Sequence, residues 1–281
     1  MSSVKVYKPT TPARRKTSVI NYSAALTSTS QKPFKKLRTV KKQKAGRNNS
    51  GKITVRHRGS GNKRLIRDVD FKRDFEKGYK VLTVEYAPGR SGFLCLVVDI
   101  KTGNKHYILH SSGLEEGKVY DNNDEVLDGN TLPLKQLPVG TFVSQVEIRP
   151  GQGAKMIRSA GAYAIVTARD DKYVTLKLPS GEIRKFNENC KGVVGRVGNE
   201  AHGLVRIGKA GRKRKMGWRP TVRGKVMNPV DHPHGGGEAR NPIGMAYPKT
   251  PTGKHALGVR TRKKKKPSDK FIVKRRVKKR R

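Results

Sequence analysis

Apolar and polar residues alternate over much of residues 80–198, the middle of the chain. In the stretch KVLTVEY, Leu82, Val84 and Tyr86 alternate with polar residues, which is the two-residue period of a strand with one buried face. The stretch FLCLVVDI, residues 93–100, is apolar at almost every position and predicts a central strand that is buried on both faces. The segments HYILH, FVSQVEI, YAIVTA, YVTLKL and EIRKF predict further strands.

Turns rich in glycine and proline separate these segments. The sequences PGRSG (residues 88–92), KTGNK (residues 101–105) and PSGE (residues 179–182) each lie between two predicted strands. Because such turns recur throughout, antiparallel sandwiches or barrels are favoured over strand–helix–strand units. The strand-rich region is long enough for two small domains, with residues 132–139 as the expected joint. Residues 200–207 are the best candidate for a short helix.

Charge divides the chain into three parts. There are 64 lysine and arginine residues against 21 aspartate and glutamate residues, a formal net charge of +43. Residues 1–67 contain 19 basic residues and no acid, residues 68–200 have a net charge of +1, and residues 201–281 have a net charge of +23. Solubilising tails are an alternative, but these are usually acidic or mixed, whereas long basic blocks are typical of interaction arms. We therefore expect a nucleic-acid partner.

Neither an oxidising compartment nor a membrane is indicated. Cys95 and Cys190 match neither a disulfide framework nor a CxxC metal pair. The longest apolar run, residues 93–98, is far shorter than the ~20 residues that span a bilayer. No apolar segment follows Met1, so a secretory signal is not expected, although the acid-free start leaves an organellar transit peptide open.

Two segments combine positive charge with residues that allow close backbone approach. The first, GRNNSGKITVRHRGSGNKR (residues 46–64), spaces hydrogen-bond donors between glycines. The second, GWRPTVRGKVMNPVDHPHGGG (residues 217–237), has no apolar period, three prolines and three consecutive glycines. Arginine forks suit phosphate oxygens and base edges. Aromatic residues make up only 6% of the chain, which favours folded RNA over stacked single strands as the main partner.

Two further segments contain phosphate-loop features. In RPGQGAK (residues 149–155), the glycine amides and Lys155 could cradle an RNA phosphate, or the segment could be a plain turn between strands. Residues 248–255 end in Gly-Lys-His, but Pro248 replaces the first glycine of a nucleotide-binding phosphate loop and His255 replaces its serine or threonine. No nucleotide-binding loop is predicted.

His232 and His234 lie beside Asp231 in the only dense histidine cluster. A metal site would need a third or fourth ligand of matching type, and none is near in sequence. A general base oriented by Asp231 is geometrically conceivable. No accompanying nucleophile or carboxylate pair is apparent, so we expect both rings to stack on RNA or to hydrogen-bond to it.

A series of motifs runs along almost the full chain, from about Val4 to Arg276. In order they are GRNNSGKITVRHRGSG, VDFKRD, GNTLPL, YVTLKLPSGE, GKAG, RPTVRGKVMNPVDHPHGGGEARNP and SDKFIVKRR. With these motifs the chain resembles the bacterial-type family of large-subunit ribosomal protein two. The resemblance implies a mainly β fold, with an OB-fold-like barrel at residues 61–130 and an SH3-like barrel at residues 131–198. Long, basic, irregular extensions would flank them at residues 1–60 and 199–281.

The resemblance also implies a function. It suggests a non-enzymatic, cytoplasmic, primary rRNA-binding constituent of the large ribosomal subunit, without cofactor, metal or membrane. Its partners would be large-subunit rRNA, neighbouring ribosomal proteins and, through an intersubunit bridge, small-subunit rRNA. It would support subunit association, tRNA binding and the peptidyl transferase region, near which Asp231 and His232 would lie. A direct catalytic role for this pair is the alternative. Asn62 and Thr252 depart from the family pattern, which has histidine and tryptophan there.

The residues that we expect to bind RNA are mostly basic or amide side chains of the segments above. They are Arg47, Asn48, Asn49, Lys52, Arg56, His57, Arg58, Lys63, Arg64, Lys155, Arg158, Lys209, Arg212, Arg219, Arg223, Asn228, His232, His234, Arg240, Lys270, Arg275 and Arg276.

Overall fold

The computed structural model describes residues 4–30, 32–59, 61–120, 125–259, 261–263 and 265–276. The chain divides into two compact units. We call residues 1–42, 63–210 and 268–281 the sheet unit, and residues 43–62 and 211–267 the loop unit. All strands of the described residues lie in the sheet unit and pair antiparallel, which confirms the prediction of a mainly β protein.

The elements are short. The strands are β1 (Val4–Val6), β2 (Ser18–Ile20), β3 (Arg38–Val40), β4 (Leu65–Arg67), β5 (Tyr79–Glu85), β6 (Leu94–Asp99), β7 (Lys105–Leu109), β8 (Val119–Tyr120), β9 (Thr131–Pro133), β10 (Phe142–Ser144), β11 (Ala164–Arg169), β12 (Tyr173–Lys177), β13 (Ile183–Asn187), β14 (Lys191–Val194) and β15 (Ile272–Lys274). The α-helices are α1 (Pro12–Arg15), α2 (Tyr22–Ala25) and α3 (Ala210–Lys215). Single 3-10 turns cover Lys35–Leu37, Leu134–Gln136, Glu200–Leu204, Gly224–Val226 and Pro267–Phe271.

The first large sheet has the strand order β7-β6-β5-β8. Strand β6 lies between β5 and β7, as its nearly continuous apolar sequence predicts. Leu94 and Leu96 point into one apolar cluster, while Cys95 and Val97 point into another. Burial on both faces excludes polar residues from positions 94–98 of this strand and explains why no alternation is visible there.

Strand β5 departs from the alternation expected for it. Its register with β6 shifts between Val81 and Thr83, so one extra residue interrupts the two-residue period. Beyond the bulge Glu85 is buried and Tyr86 is exposed, the reverse of the predicted arrangement. The buried carboxylate accepts a hydrogen bond from the Tyr107 hydroxyl and lies 3.5 Å from the guanidinium of Arg67. This buried pair makes the inward-facing charge tolerable.

The second large sheet has the order β15-β13-β12-β11-β10-β14-β9 and covers an apolar cluster of its own. Leu132, Leu134 and Leu137 are buried in that cluster, so the segment at residues 132–139, where we expect the joint, contributes to the second core. In the described residues each sheet remains open, since its two edge strands do not pair with each other. The candidate helix at residues 200–207 is the short 3-10 turn Glu200–Leu204.

The basic extensions are irregular only in part. In the N-terminal extension β1 pairs with β2, and Ile20 is 3% exposed within the apolar cluster of the first sheet. The ring of Tyr22 makes edge contacts with Tyr86 and Phe93. At the other end of the chain, β15 pairs with β13. Apolar side chains of the N-terminal extension and strand pairing of the C-terminal extension thus make parts of both extensions belong to the sheet unit.

Replacing Ile20 with alanine tests this anchoring. We expect Ile20→Ala to lower the free energy of unfolding by about 2–4 kcal/mol, because it leaves a cavity in the core. The matched change Val6→Ala, at a side chain 69% exposed in the same extension, should alter stability by less than about 0.5 kcal/mol. Urea unfolding of the full-length variants measures both. Equal effects would show that the extension does not belong to the core.

Candidate nucleic-acid interface

Residues 46–62 of the first basic segment meet the second basic segment, residues 217–237, in the loop unit. Backbone hydrogen bonds of 3.0–3.1 Å connect the first segment to the chain from Lys215 onwards: Gly59 N–H to Gly217 O, Asn62 N–H to Lys215 O, and Arg219 N–H to His57 O. The His57 ring also contacts the carbonyl oxygen of Pro220 through Nδ1, at 3.0 Å. Segments more than 150 residues apart in the sequence therefore form one local structure.

The loop unit is strongly cationic and has almost no interior. It contains 21 basic residues and two acidic ones, Asp231 and Glu238, a formal net charge of +19. The three apolar clusters of the described residues all lie in the sheet unit. Among the described residues of the loop unit only His232 is buried, at 7% exposure. Turns and backbone hydrogen bonds hold this unit, and its positive charges have few internal partners.

The His232 ring is fixed by the backbone around it. Its Nδ1 accepts a hydrogen bond of 3.0 Å from the His234 amide. The ring packs so closely on Gly224 that a Cβ atom there would lie 2.5 Å from ring atoms. The Asp231 carboxylate makes no hydrogen bond to the ring in the part of the chain that is described. The pairing that a general base oriented by Asp231 would need is therefore not formed, and Nδ1 of His232 already accepts the His234 amide.

His234 has a similar internal role. Its Nε2 accepts a hydrogen bond of 2.8 Å from the Lys249 amide, and its ring lies 4.7 Å from that of His232. In the described residues, no group of three or more histidine, cysteine, aspartate or glutamate residues has a geometry suited to a metal ion. Each ring thus accepts a hydrogen bond from a backbone amide within the loop unit, and the His234 ring connects its loop to the segment at Lys249.

Each of the three consecutive glycines is required by the local backbone, and the steric reason differs between Gly235 and the other two. A Cβ atom on Gly235 would lie 2.2 Å from the carbonyl oxygen of Asn228. Gly236 and Gly237 have φ angles of +87° and +94°, in the left-handed region that glycine occupies without strain. The glycines therefore close the loop around His232.

The segment at residues 149–155 does not offer its glycine amides to an external phosphate. The buried carboxylate of Glu147 accepts hydrogen bonds from Gly151 N at 3.2 Å, from Gly153 N at 2.7 Å and from Lys191 N at 3.0 Å. An internal anion thus occupies the position that a phosphate would take. Of the two interpretations, the structure supports the turn between strands.

The remaining predicted RNA-binding residues are divided between the units. The loop unit holds Arg47, Asn48, Asn49, Lys52, Arg56, His57, Arg58, Arg212, Arg219, Arg223, Asn228 and Arg240, and the sheet unit holds Lys63, Arg64, Lys155, Arg158, Lys209, Lys270, Arg275 and Arg276. Some are engaged within the protein. The Asn48 side chain accepts hydrogen bonds inside its own turn, and Arg275 lies 3.5 Å from the carboxylate of Asp269. Their contacts with RNA stay predictions.

Two arginine–aromatic clusters of the sheet unit were not predicted. The guanidinium carbons of Arg90 and Arg158 lie 5.1 Å and 4.7 Å from the centre of the Phe71 ring. Burial, and then the positive charge of Arg158, lower the pKa of Arg90. Arg196 lies 4.5 Å from the ring centre of Tyr163 and 4.8 Å from that of Phe142, a second cluster of the same kind. Sequence spacing gives no signal for either, because partners that are distant in sequence meet only in the fold.

The sheet unit also contains a cavity of about 760 Å³, lined in part by Phe93, His110 and Asp128. The His110 ring contacts the Leu114 carbonyl oxygen through Nε2, at 3.2 Å, and burial lowers its pKa to about 4.

Burial also raises the pKa of Cys95 to about 12 and that of Cys190 to about 11. At neutral pH these groups are uncharged, so neither thiol is an activated nucleophile.

A strongly cationic unit without an apolar core among its described residues, in a chain that also forms small antiparallel sheets, is typical of proteins that bind folded RNA. In the described residues no helix has the length and apolarity needed to cross a bilayer. The family model for ribosomal proteins L2, RNA binding N-terminal domain, matches residues 34–120, and that for the C-terminal domain of the same proteins matches residues 127–253. The chain belongs to the ribosomal protein L2 family. It therefore has a structural, RNA-binding role in the large ribosomal subunit, among rRNA and ribosomal proteins.

The role of Glu147 as an internal anion predicts a loss of stability when its charge is removed. We expect Glu147→Gln to lower the free energy of unfolding by about 1–3 kcal/mol, because at least one buried amide loses its acceptor. The exposed-carboxylate control Asp171→Asn should change it by less than about 0.5 kcal/mol. Urea unfolding provides the measurement. If Glu147→Gln is as stable as the unchanged protein and binds phosphate more tightly, the loop is a phosphate cradle after all.

The lowered pKa of His110 predicts acid sensitivity. The unfolded ring takes up a proton near pH 6.5 and the folded ring only near pH 4, so stability is complete above about pH 6.5 and falls as the pH drops towards 4. Between pH 7 and pH 4.5 we expect His110 to account for a loss on the order of 2 kcal/mol. The pH dependence of urea unfolding should be flatter by this amount in His110→Gln. Parallel curves for the two proteins would contradict the assignment.

Proposed function

We propose that the chain is a primary binder of large-subunit rRNA, and that its loop unit is the main RNA-binding surface. The observation that carries this proposal is the net charge of +19 on a unit with one buried side chain among its described residues. So large an excess of charge repels itself in the free protein and is relieved when phosphates neutralise it. The predicted loop-unit arginines and lysines then bind phosphate oxygens, and arginine forks reach base edges where the backbone allows close approach.

Further proposed roles rest on the family resemblance. They are support of subunit association through a bridge to small-subunit rRNA, support of tRNA binding, and support of the peptidyl transferase region by the loop around Asp231 and His232. The tight folding of this loop favours such a role, because a rigid loop can hold RNA in one position.

Within this proposal His232 positions RNA and does no chemistry. A general base needs a free accepting nitrogen within hydrogen-bond reach of the proton that it removes. The Nδ1 of His232 accepts the His234 amide, and the ring is packed against Gly224. The ring instead forms the interior of the loop unit, so that its loss would disturb the surface that the RNA contacts.

The decisive variant is His232→Gln, whose side-chain oxygen can accept the same amide. A positioned general base contributes roughly 10² to 10⁴ in rate, so loss of a catalytic base would be obvious. On purified, fully assembled ribosomes we expect single-turnover peptide transfer within roughly tenfold of the unchanged ribosome. His232→Ala, which removes the acceptor, should mainly reduce assembly or subunit association.

Asp231→Ala serves as the matched control, because the Asp231 carboxylate does not hold the ring in the described structure. It should leave peptide transfer unchanged in assembled ribosomes. A loss of roughly 10³ or more in His232→Gln with assembly intact would instead establish the direct catalytic role.

A further inference from the structure

Trp218 and Arg58 form a stacked pair in the loop unit. The guanidinium carbon of Arg58 lies 3.3 Å from the centre of the Trp218 ring, which is van der Waals contact over the ring face. The Lys213 ammonium lies 5.8 Å from the same centre. Trp218 is the only tryptophan of the chain and keeps 39% of its surface exposed.

Backbone contacts on both sides hold this pair in register. Arg58 and Trp218 form an antiparallel bridge, and the hydrogen bonds from Gly59 to Gly217 and from Arg219 to His57 flank it. The Trp218 amide donates to the Lys213 carbonyl oxygen at 3.3 Å, at the end of α3. The ring and the guanidinium are therefore placed before any ligand arrives, which lowers the entropic cost of binding.

The charge of Arg58 is not paired within the described residues. Arg58 makes no ion pair in the part of the chain that is described, and the two acids of the loop unit lie near His232 in sequence. An exposed indole ring among 21 basic residues is an apolar surface in a strongly cationic unit. Phosphate alone would satisfy the charges but would leave the ring exposed. A ligand that satisfies both features is an anion that carries a flat, stackable group.

We propose that the Trp218–Arg58 pair is a stacking site for one unpaired nucleobase of rRNA, whose phosphates lie against Arg58 and Lys213. The inference rests on the proposed function and names one contact within it. Bases stack on aromatic rings and on guanidinium planes, and each such contact strengthens binding severalfold to about a hundredfold. A side chain of a protein partner could stack on the ring as well, but it would leave the charges of Arg58 and Lys213 without an anion. The flanking cations therefore favour RNA.

Two oligonucleotide probes separate stacking from charge. One is a nine-residue oligoadenylate, and the other is an abasic ribose-phosphate chain of the same length and charge. With the full-length protein, we expect the oligoadenylate to quench Trp218 fluorescence and to bind roughly 5- to 100-fold more tightly than the abasic chain. Since Trp218 is the sole tryptophan, its emission reports on this site.

Variants of Trp218 and Arg58 test whether this pair causes the difference in affinity between the two probes. Trp218→Leu should reduce the ratio of the two affinities to about 1 and leave the abasic affinity unchanged, as measured by filter binding. Arg58→Lys keeps the charge and the ring but loses the planar stack, so it should lower the ratio while the salt dependence stays the same. The control Tyr247→Leu removes another exposed ring of the loop unit, which packs edge-on against His255, and should keep the ratio.

Equal affinity of the two probes for the unchanged protein would overturn the stacking site, as would an unaltered ratio in both Trp218→Leu and Arg58→Lys. If Trp218→Leu does not fold, Arg58→Lys decides. Binding of a large-subunit rRNA transcript is measured in parallel. Tight transcript binding without a base preference would leave the proposed function intact and reject only the site, whereas no transcript binding would reject both.

Discussion

Uncompensated positive charge is the constraint on which the structure of this chain depends. A net charge of +43 on 281 residues opposes compaction. In this chain one unit provides the folded core and the other carries much of the charge. The sheet unit contains the apolar clusters, which supply the free energy of folding. The loop unit carries a net charge of +19 with only one buried side chain among its described residues, so it depends on a polyanion for neutralisation. Membership of a ribosomal RNA-binding family supplies such a partner.

Several acidic residues of the sheet unit form hydrogen bonds or ion pairs inside the protein. Composition makes residues 68–200 nearly neutral, yet several carboxylates are directed at the protein itself. Glu147 binds backbone amides, Glu85 lies with Arg67 and Tyr107, and Asp99 accepts hydrogen bonds within the turn after β6. Negative charge used internally does not face an approaching RNA. The outer surface of residues 68–200 is therefore more cationic than their net charge of +1 suggests.

The loop around His232 illustrates how a short polar segment becomes rigid without an apolar core. The ring accepts an amide hydrogen bond, fills the space left by Gly224, and is enclosed by a turn that only glycine can close. Stacking of Arg58 on Trp218 provides a second rigid point by cation–π attraction. Both devices position cationic side chains in advance, which suits recognition of a folded RNA by its shape and phosphates.

The sequence by itself determined the mainly antiparallel β class, the central position of β6, the cationic extensions and the family. These properties are local or additive: apolar runs and turns are read from neighbouring residues, and charge is a sum. Only the tertiary structure decided the bulge that buries Glu85, the place of Ile20 in the core, and the capture of the glycine amides by Glu147. It also decided that Arg58 meets Trp218 across 160 positions of sequence. Such pairings depend on which distant segments pack together, and no periodicity along one segment specifies its partner.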